Sequence, residues 1–336
     1  MILVTGGTGL VGGHLLYKLA KQNETIRATY RNKAKLKNVK AIFETYQKDY
    51  QALYDIIDWV KADITDIPAL TDAMEGVDYV YHCAAFVSFE PDKYYQLRKI
   101  NIEGTANMVN ISLAVGVKKF CYVSSIAAVG TEATKTHINE ETPWNPEANN
   151  NVYAITKYGA EMEVWRATQE GLNAVIVNPG VILGPGIWRY GTGSLFKKAH
   201  KGLKYYTSGN IGLISVNDVV NIMIILMHKN IHNERFILIA EDWKYEKFLK
   251  HLANAVHAEP PKKEAPYWLL QVGWRLDWLK RKLTGKRRIL TKNLVQSLTT
   301  IKNYDTVKIR STLDYNFQDI DTFISEVGRC YLKQAE

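Results

Sequence analysis

Cysteine is scarce in this chain: three residues of 336, at positions 83, 121 and 330. Their spacing fits no metal-ligand pattern and no disulfide frame. No metal is therefore expected, and inert core thiols in a reducing cytoplasm are. Long apolar runs are also missing. Ile222–Met227 falls far short of the roughly 18 residues that a membrane span needs. The apolar pattern begins at residue 2, which leaves no room for a signal or transit peptide and again points to the cytoplasm. Internal repeats and low-complexity segments are absent. Acids are fewer than bases, 34 against 43, for a formal net charge of +9. That excess admits anionic ligands, but it is spread thinly along the chain, so nucleic acid is not an expected partner. A composition of 46% hydrophobic and 23% charged residues belongs to a globular protein. The length suffices for one large core with an appended lobe, or for two modest domains.

What is present starts at the N-terminus. Ile2–Val4 reads as a buried strand, and Gly6, Gly9 and Gly12 turn the chain into a helix running through His14 to Lys21. Gly6 suits a tight turn, Gly9 lets backbone N–H groups approach a pyrophosphate, and Gly12 lets the helix pack closely. The helix N-terminus offers unpaired N–H donors and partial positive charge to a diphosphate.

Strand and helix then alternate. Strands are expected at Thr25–Tyr30, Asp58–Ala62, Tyr79–Cys83, Lys119–Ser124 and Ala174–Asn178. Helices are expected at about Asn38–Ile57, Ile67–Met74 and Tyr94–Val115, and from Tyr153 onward after a polar loop, Thr131–Asn151. The pattern implies an α/β fold, a doubly wound parallel sheet with ligands beyond the strand C-termini. After Gly180 the rhythm breaks. A helix at Asn217–His228 and a strand at Arg235–Ala240 return to the sheet, and the chain from Trp243 is mostly helical, basic and tryptophan-rich. The division expected is 1–180 plus 216–240 for a dinucleotide-binding domain, and 181–215 plus 241–336 for a smaller, mostly helical C-terminal substrate lobe.

A carboxylate at the end of the second strand would accept hydrogen bonds from the adenosine ribose. Here that region reads Tyr30-Arg31-Asn32-Lys33-Ala34-Lys35, with no acid. Arg31 can stack on adenine and pair with a 2′-phosphate, which favours NADP(H) over NAD(H). The alternative for Arg31 is a solvated basic loop. Asp63, ending the third strand, is positioned for the adenine amino group.

Tyr153 and Lys157 stand four apart at the start of the helix after the fifth strand, so phenol and ammonium share one face. A free phenol ionises near pKa 10, and a neighbouring cation brings it toward the working range. Ser125 can orient a substrate oxygen toward Tyr153. Ser124 is the competing hydroxyl, read as still belonging to the strand.

Thr5–Gly12, Asn101-Ile102-Glu103-Gly104-Thr105, Ser124–Gly130, Tyr153–Lys157 and Asn178-Pro179-Gly180 occur in that order over residues 1–240. Together they resemble the extended short-chain dehydrogenase/reductase superfamily, the NAD(P)-dependent epimerase/dehydratase group. Arg31 and Val177–Val181 are most similar to its dihydroflavonol-reductase and 3β-hydroxysteroid-dehydrogenase branch. The resemblance implies a Rossmann-type fold, with Tyr153 as general acid/base, Lys157 as its pKa-lowering partner and ribose ligand, and Ser125 as the orienting hydroxyl. It implies Gly6, Thr8, Gly9, Leu10, Val11 and Gly12 at the pyrophosphate, and Asp63 and Ile64 at adenine. Ala84, Ala85 and Ser124 would line the middle of the cofactor, with Pro179 and Val181 at the nicotinamide. Asn101 matches a family asparagine beside the cofactor; it equally suits a buried amide tying elements together. The dehydratases of the superfamily carry Asp-Glu where this chain has Ile126 and Ala127, so elimination of water is excluded.

The leading function is an NADP(H)-dependent carbonyl reductase or alcohol dehydrogenase. A nucleotide-sugar epimerase with tightly bound NAD(P) and a non-catalytic dinucleotide-binding protein are the alternatives. Phe86, Trp188, Phe89, Tyr190, Tyr205 and Tyr206 point to an apolar or ring-bearing carbonyl or alcohol as the small-molecule partner, or else form lobe core. A homodimer is left open. Tyr267, Trp268, Leu270, Trp274, Trp278 and Leu279 fall partly along one helical stripe, ahead of Lys280, Arg281, Lys282, Lys286, Arg287 and Arg288. The expectation is that these tryptophans pack inside the lobe while the cations complement a helix C-terminus; a membrane-surface helix is the other reading.

Overall fold

A computed structural model describes residues 1–130, 137–285, 288 and 290–335. Residues 131–136 of the expected polar loop, and Lys286 and Arg287 of the basic cluster, lie outside the described residues.

The first apolar run forms β1 Ile2–Thr5, buried at every position because strands flank it on both sides. The other strands of this sheet are β2 Ile26–Tyr30, β3 Asp58–Lys61, β4 Tyr79–His82, β5 Lys119–Val123, β6 Ala174–Pro179 and β7 Glu234–Leu238. All pair in parallel, in the order β3-β2-β1-β4-β5-β6-β7, which is the doubly wound arrangement. The order reverses between β1 and β4, so a cleft opens beyond their C-terminal ends.

Helices cover both faces. They are α1 Leu10–Lys21, α2 Leu36–Tyr46, α3 Gln51–Asp55 and α4 Ile67–Ala73, then α5 Tyr94–Leu97 and α6 Gly104–Ala114 joined through a π-helical stretch, Arg98–Glu103. α7 Val152–Gln169, α8 Gly193–His200 and α9 Val216–His228 follow. The single helix expected over 38–57 is broken. The Tyr46 ring stacks on Tyr17 at 4.0 Å and Gln47 accepts from the Tyr17 hydroxyl at 3.2 Å, so the chain leaves helical geometry at Gln47.

The chain from 181 adds a small sheet, in which Asn210–Ser215 pairs with Val181–Leu183 and with Glu241–Lys244. Beyond it lie α10 Tyr245–Ala255, α11 Tyr267–Thr284, α12 Lys292–Thr299, α13 Val307–Leu313 and α14 Ile320–Ala335. One apolar cluster runs from Ile2 and Val4 through α9 to Trp243, Phe248, Leu252, Phe323 and Val327. The C-terminal helices α10 and α14 therefore share the core of the main sheet. Helix α11 does not: none of its residues is buried, and Trp268 is 65% and Trp278 48% exposed. The expectation that the tryptophans of this stretch pack inside the lobe is corrected here, since α11 rests against α12 and leaves Trp268 and Trp278 in solvent.

The three cysteines are free, Cys121 fully buried and the others half-buried. Burial pushes the Cys83 thiol up to about 12, which disfavours the reactive thiolate. Among the described residues no helix is long and apolar enough to cross a membrane.

Candidate active site

The turn after β1 is shaped by two glycines. Gly6 sits at φ +68°, where a side chain would also collide with the backbone of Cys83 and Ala84. A Cβ on Gly12 would stand 2.4 Å from the Gly6 carbonyl, so any larger residue would push α1 off the turn. The Gly9 N–H donates to Gly6 O at 2.9 Å, and α1 begins at Leu10 with no side-chain cap and no acid in its first turn. The N-terminal donors of the helix, including those of Leu10, Val11 and Gly12, are thus left for an anion, and the turn fits a diphosphate. Beside it, Thr8 O accepts from Asn38 Nδ2 at 3.4 Å, and Asn38 also donates to the Tyr190 hydroxyl at 2.7 Å.

At the ends of the neighbouring strands β2 and β3, Arg31 Nη1 lies 3.6 Å from Asp63 Oδ2. Arg31 is more than half exposed, while Asp63 Oδ1 accepts from Thr65 N–H and Oγ at 3.0 Å each. Ile64 is buried, and its carbonyl accepts from Asn107 Nδ2 at 3.0 Å. Ala84 and Ala85 follow β4 after Cys83, with the Ala84 N–H against the Gly6 turn.

The proton-handling groups meet at the end of β5. Asn151 caps α7 through the Ala154 N–H at 2.8 Å, which sets Tyr153 in the first turn. The Ser125 side chain acts on the Tyr153 phenol, lowering its pKa, and accepts from Ala127 N–H at 3.1 Å. The Phe89 ring meets Tyr153 edge-on at 5.5 Å. Burial raises the phenol to about 12, partly offset by Ser125. Lys157 is buried; its Nζ donates to the Tyr122 hydroxyl at 2.6 Å and to Val123 O at 2.9 Å. Burial lowers this ammonium to about 7, with Glu161 and Cys83 opposing. Phenol and ammonium do share a helix face, but the hydrogen bonds of the ammonium go to β5.

Sequence reasoning missed what lies under Lys157. The Tyr122 ring stacks on His82 at 5.6 Å, Thr105 Oγ1 lies 3.1 Å from His82 Nε2, and His82 Nδ1 lies 2.7 Å from Thr5 Oγ1. Contacts thus run from Lys157 through the Tyr122 and His82 rings to Thr5, the residue before the glycine turn. Burial lowers His82 to about 3, with the Lys157 charge adding to it, so the imidazole is neutral. The available signal was a polar side chain in each of two strands enclosed on both faces, where apolar runs are the rule. Also missed was Glu161, fully buried, which accepts from Ser124 Oγ at 2.6 Å, Asn178 Nδ2 at 2.9 Å and Arg235 Nη1 at 3.0 Å.

Several expected site residues are occupied elsewhere. β5 ends at Val123, and the Ser124 hydroxyl turns inward to Glu161, away from the cleft. Asn101 exchanges hydrogen bonds with the Phe86 backbone at 2.8 and 3.0 Å and donates to Thr156 Oγ1 at 3.2 Å. Its amide ties the loop after β4 to α7, the second of its two readings. Trp188 packs edge-on against Phe196 and Tyr331 and donates to Gln334, so its indole belongs to the contact with α8 and α14. Pro179 ends β6 opposite Leu238, and Val181 opens the small sheet opposite Leu213.

A parallel doubly wound sheet, a diphosphate-fitting turn and a Ser-Tyr-Lys set define a dinucleotide-dependent enzyme. The chain belongs to the NAD dependent epimerase/dehydratase family, which it matches over residues 2–239. It is 28% identical to the sterol demethylase protein B of Methylococcus capsulatus, over 85% of this chain and 84% of that one. It is 29% identical to a putative dihydroflavonol 4-reductase of Synechocystis, over 81% and 77%. With the UDP-glucose 4-epimerase of Vibrio cholerae it shares 27% identity over 94% and 90%. In fold it is similar to the crystal structure of gox2253, with TM-score 0.80, 24% identity and coverage of 99% and 98%. The Thermotoga maritima UDP-glucose 4-epimerase with UDP-glucose superposes with TM-score 0.77 at 20% identity, over 100% and 99%.

Proposed function

We propose that this chain is an NADP(H)-dependent reductase of a small apolar or ring-bearing carbonyl compound, running in reverse as an alcohol dehydrogenase. The observation that carries the reading is the Tyr153 phenol, with Ser125 lowering its pKa and the Phe89 ring edge-on to it at 5.5 Å. When bound, the nicotinamide supplies or takes the hydride. Tyr153 gives its proton to the substrate oxygen, and Ser125 holds that oxygen in line. Lys157, supported by Tyr122, would hold the nicotinamide ribose and lend positive charge to the phenolate as it forms.

Gly6, Gly9 and Gly12 with the α1 N-terminus would hold the pyrophosphate, and Arg31, exposed and free of any carboxylate at position 30, the 2′-phosphate. Residues 1–180 plus 216–240 would bind the cofactor, and 181–215 plus 241–336 would close over the substrate. An epimerase keeping NAD(P) bound would be expected to carry an acid where Tyr30 stands. The test is a panel of apolar and aromatic carbonyl compounds offered with NADPH and with NADH, following loss of reduced-nicotinamide absorbance. Turnover of ring-bearing carbonyls with NADPH supports the reading. Interconversion of nucleotide sugars without net change in absorbance would replace it with the epimerase.

A further inference from the structure

Exposed apolar side chains concentrate on α11. Of the twenty large hydrophobic residues exposed among the described ones, seven lie in this helix of 18. Trp268, Val272, Leu276, Leu279 and Leu283 recur at intervals of four, four, three and four. At 100° per residue they fall within an arc of about 80°. Leu276 is 60% and Leu283 76% exposed. The helix is about 27 Å long at 1.5 Å per residue. Exposed Arg275, Lys280 and Lys282 border the stripe. The single acid of the helix, Asp277, lies on the opposite side, where it accepts from the Leu290 N–H at 3.0 Å.

The stripe is held outward by ionic contacts on another face of the helix. Arg281 pairs with the buried Glu90 at 2.6 Å and with Asp92. A cleft of about 320 Å³ lined by Pro91, Asp92, Trp278, Arg281, Lys282 and Arg288 lies along this junction. We infer that α11 docks this protein on an anionic lipid bilayer, lying in the interface with its stripe among the acyl chains. Leucine and valine give up contact with water, tryptophan suits the headgroup level, and the bordering cations meet lipid phosphate. A second copy is a poorer occupant: two-fold pairing of this face would bring cation against cation with no carboxylate between them. The segment gripped by Arg281 continues from Phe89, the residue set on Tyr153. Docking would thus turn the mouth of the site toward lipid, a consequence that rests on the proposed catalytic reading.

The test uses the full chain and needs no turnover, so its failure and that of the catalytic reading are separable. Co-sedimentation is measured with vesicles of phosphatidylcholine alone and with phosphatidylglycerol mixed in, at physiological ionic strength. Binding to the mixed vesicles, a blue shift of tryptophan emission and weakening with salt are expected. The blue shift should be lost in Trp268→Phe/Trp278→Phe. Leu276→Glu/Leu283→Glu, at exposed positions that leave the fold intact, should cut binding at least about tenfold, and Lys280→Glu/Lys282→Glu about fivefold per lysine. Two results would overturn the inference. One is absence of the folded protein from anionic vesicles. The other is a concentration-dependent dimer that the leucine variant abolishes.

Discussion

Lys157 Nζ donates to the Tyr122 hydroxyl at 2.6 Å, so the ammonium four residues after Tyr153 is anchored from the sheet below. Tyr122 is itself held by stacking on His82 at 5.6 Å. Tyr122→Phe keeps the ring and removes one of the two acceptors of a buried ammonium. A bond to a charged group is worth about 1.5–3 kcal/mol, so the Lys157 pKa should fall further. The pH midpoint of dinucleotide binding should then move to lower pH, with affinity at neutral pH reduced about tenfold or more. A lowered melting temperature with an unmoved midpoint would assign Tyr122 to stability alone.

Tyr153→Phe removes the ionisable hydroxyl and little else. Turnover should disappear while dinucleotide affinity stays close to that of the parent. Lys157→Met should damage both, because the ammonium serves the phenol and the ribose. More than a few per cent of activity left in the phenylalanine variant would take the proton-donor role away from Tyr153.

Cofactor choice rests on Arg31. Its guanidinium is more than half exposed and has one long ionic contact, 3.6 Å to Asp63, so it is available to a phosphate. Arg31→Asp should weaken NADP(H) by about ten- to a hundredfold and leave NAD(H) nearly unchanged. Equal losses for both, measured by titrating intrinsic fluorescence, would point to the solvated-loop reading of this segment.

The sheet was legible because its inner strands are largely apolar, enclosed runs and each glycine of the first turn answers a local constraint. The placement of Tyr153, Ser125 and Lys157 was legible for the same reason, since it is local to one helix start and one strand end. What escaped was set by distant partners. The inward turn of Ser124 depends on Glu161, 37 residues away, and the break at Gln47 depends on Tyr17. Trp188 looks like a pocket residue until α14 arrives from the far end of the chain. Helix α11 misled in the other direction, because an apolar stripe is normally read as core, and burial cannot be inferred from periodicity.

The last prediction concerns pH and follows from the burial of Lys157, whose ammonium is lowered from 10.5 to about 7 in the folded chain. Between those values the unfolded chain carries a proton on this lysine that the folded chain has released. Stability of the dinucleotide-free protein should therefore rise with pH through this window, and below it the full cost of a buried cation is borne. The buried imidazoles His14 and His82 act in the same sense only at lower pH, since they are lowered to about 4 and about 3. Tyr153, raised to about 12, acts only above the window. Denaturant melts between about pH 7 and about pH 9 should show the rise in the parent and a flatter profile in Lys157→Met. Dinucleotide binding should run the other way, weakening as pH rises, because a protonated Lys157 is the better donor to the ribose. A stability profile that falls over this range, or one unchanged in the methionine variant, would mean that Lys157 keeps its proton when buried.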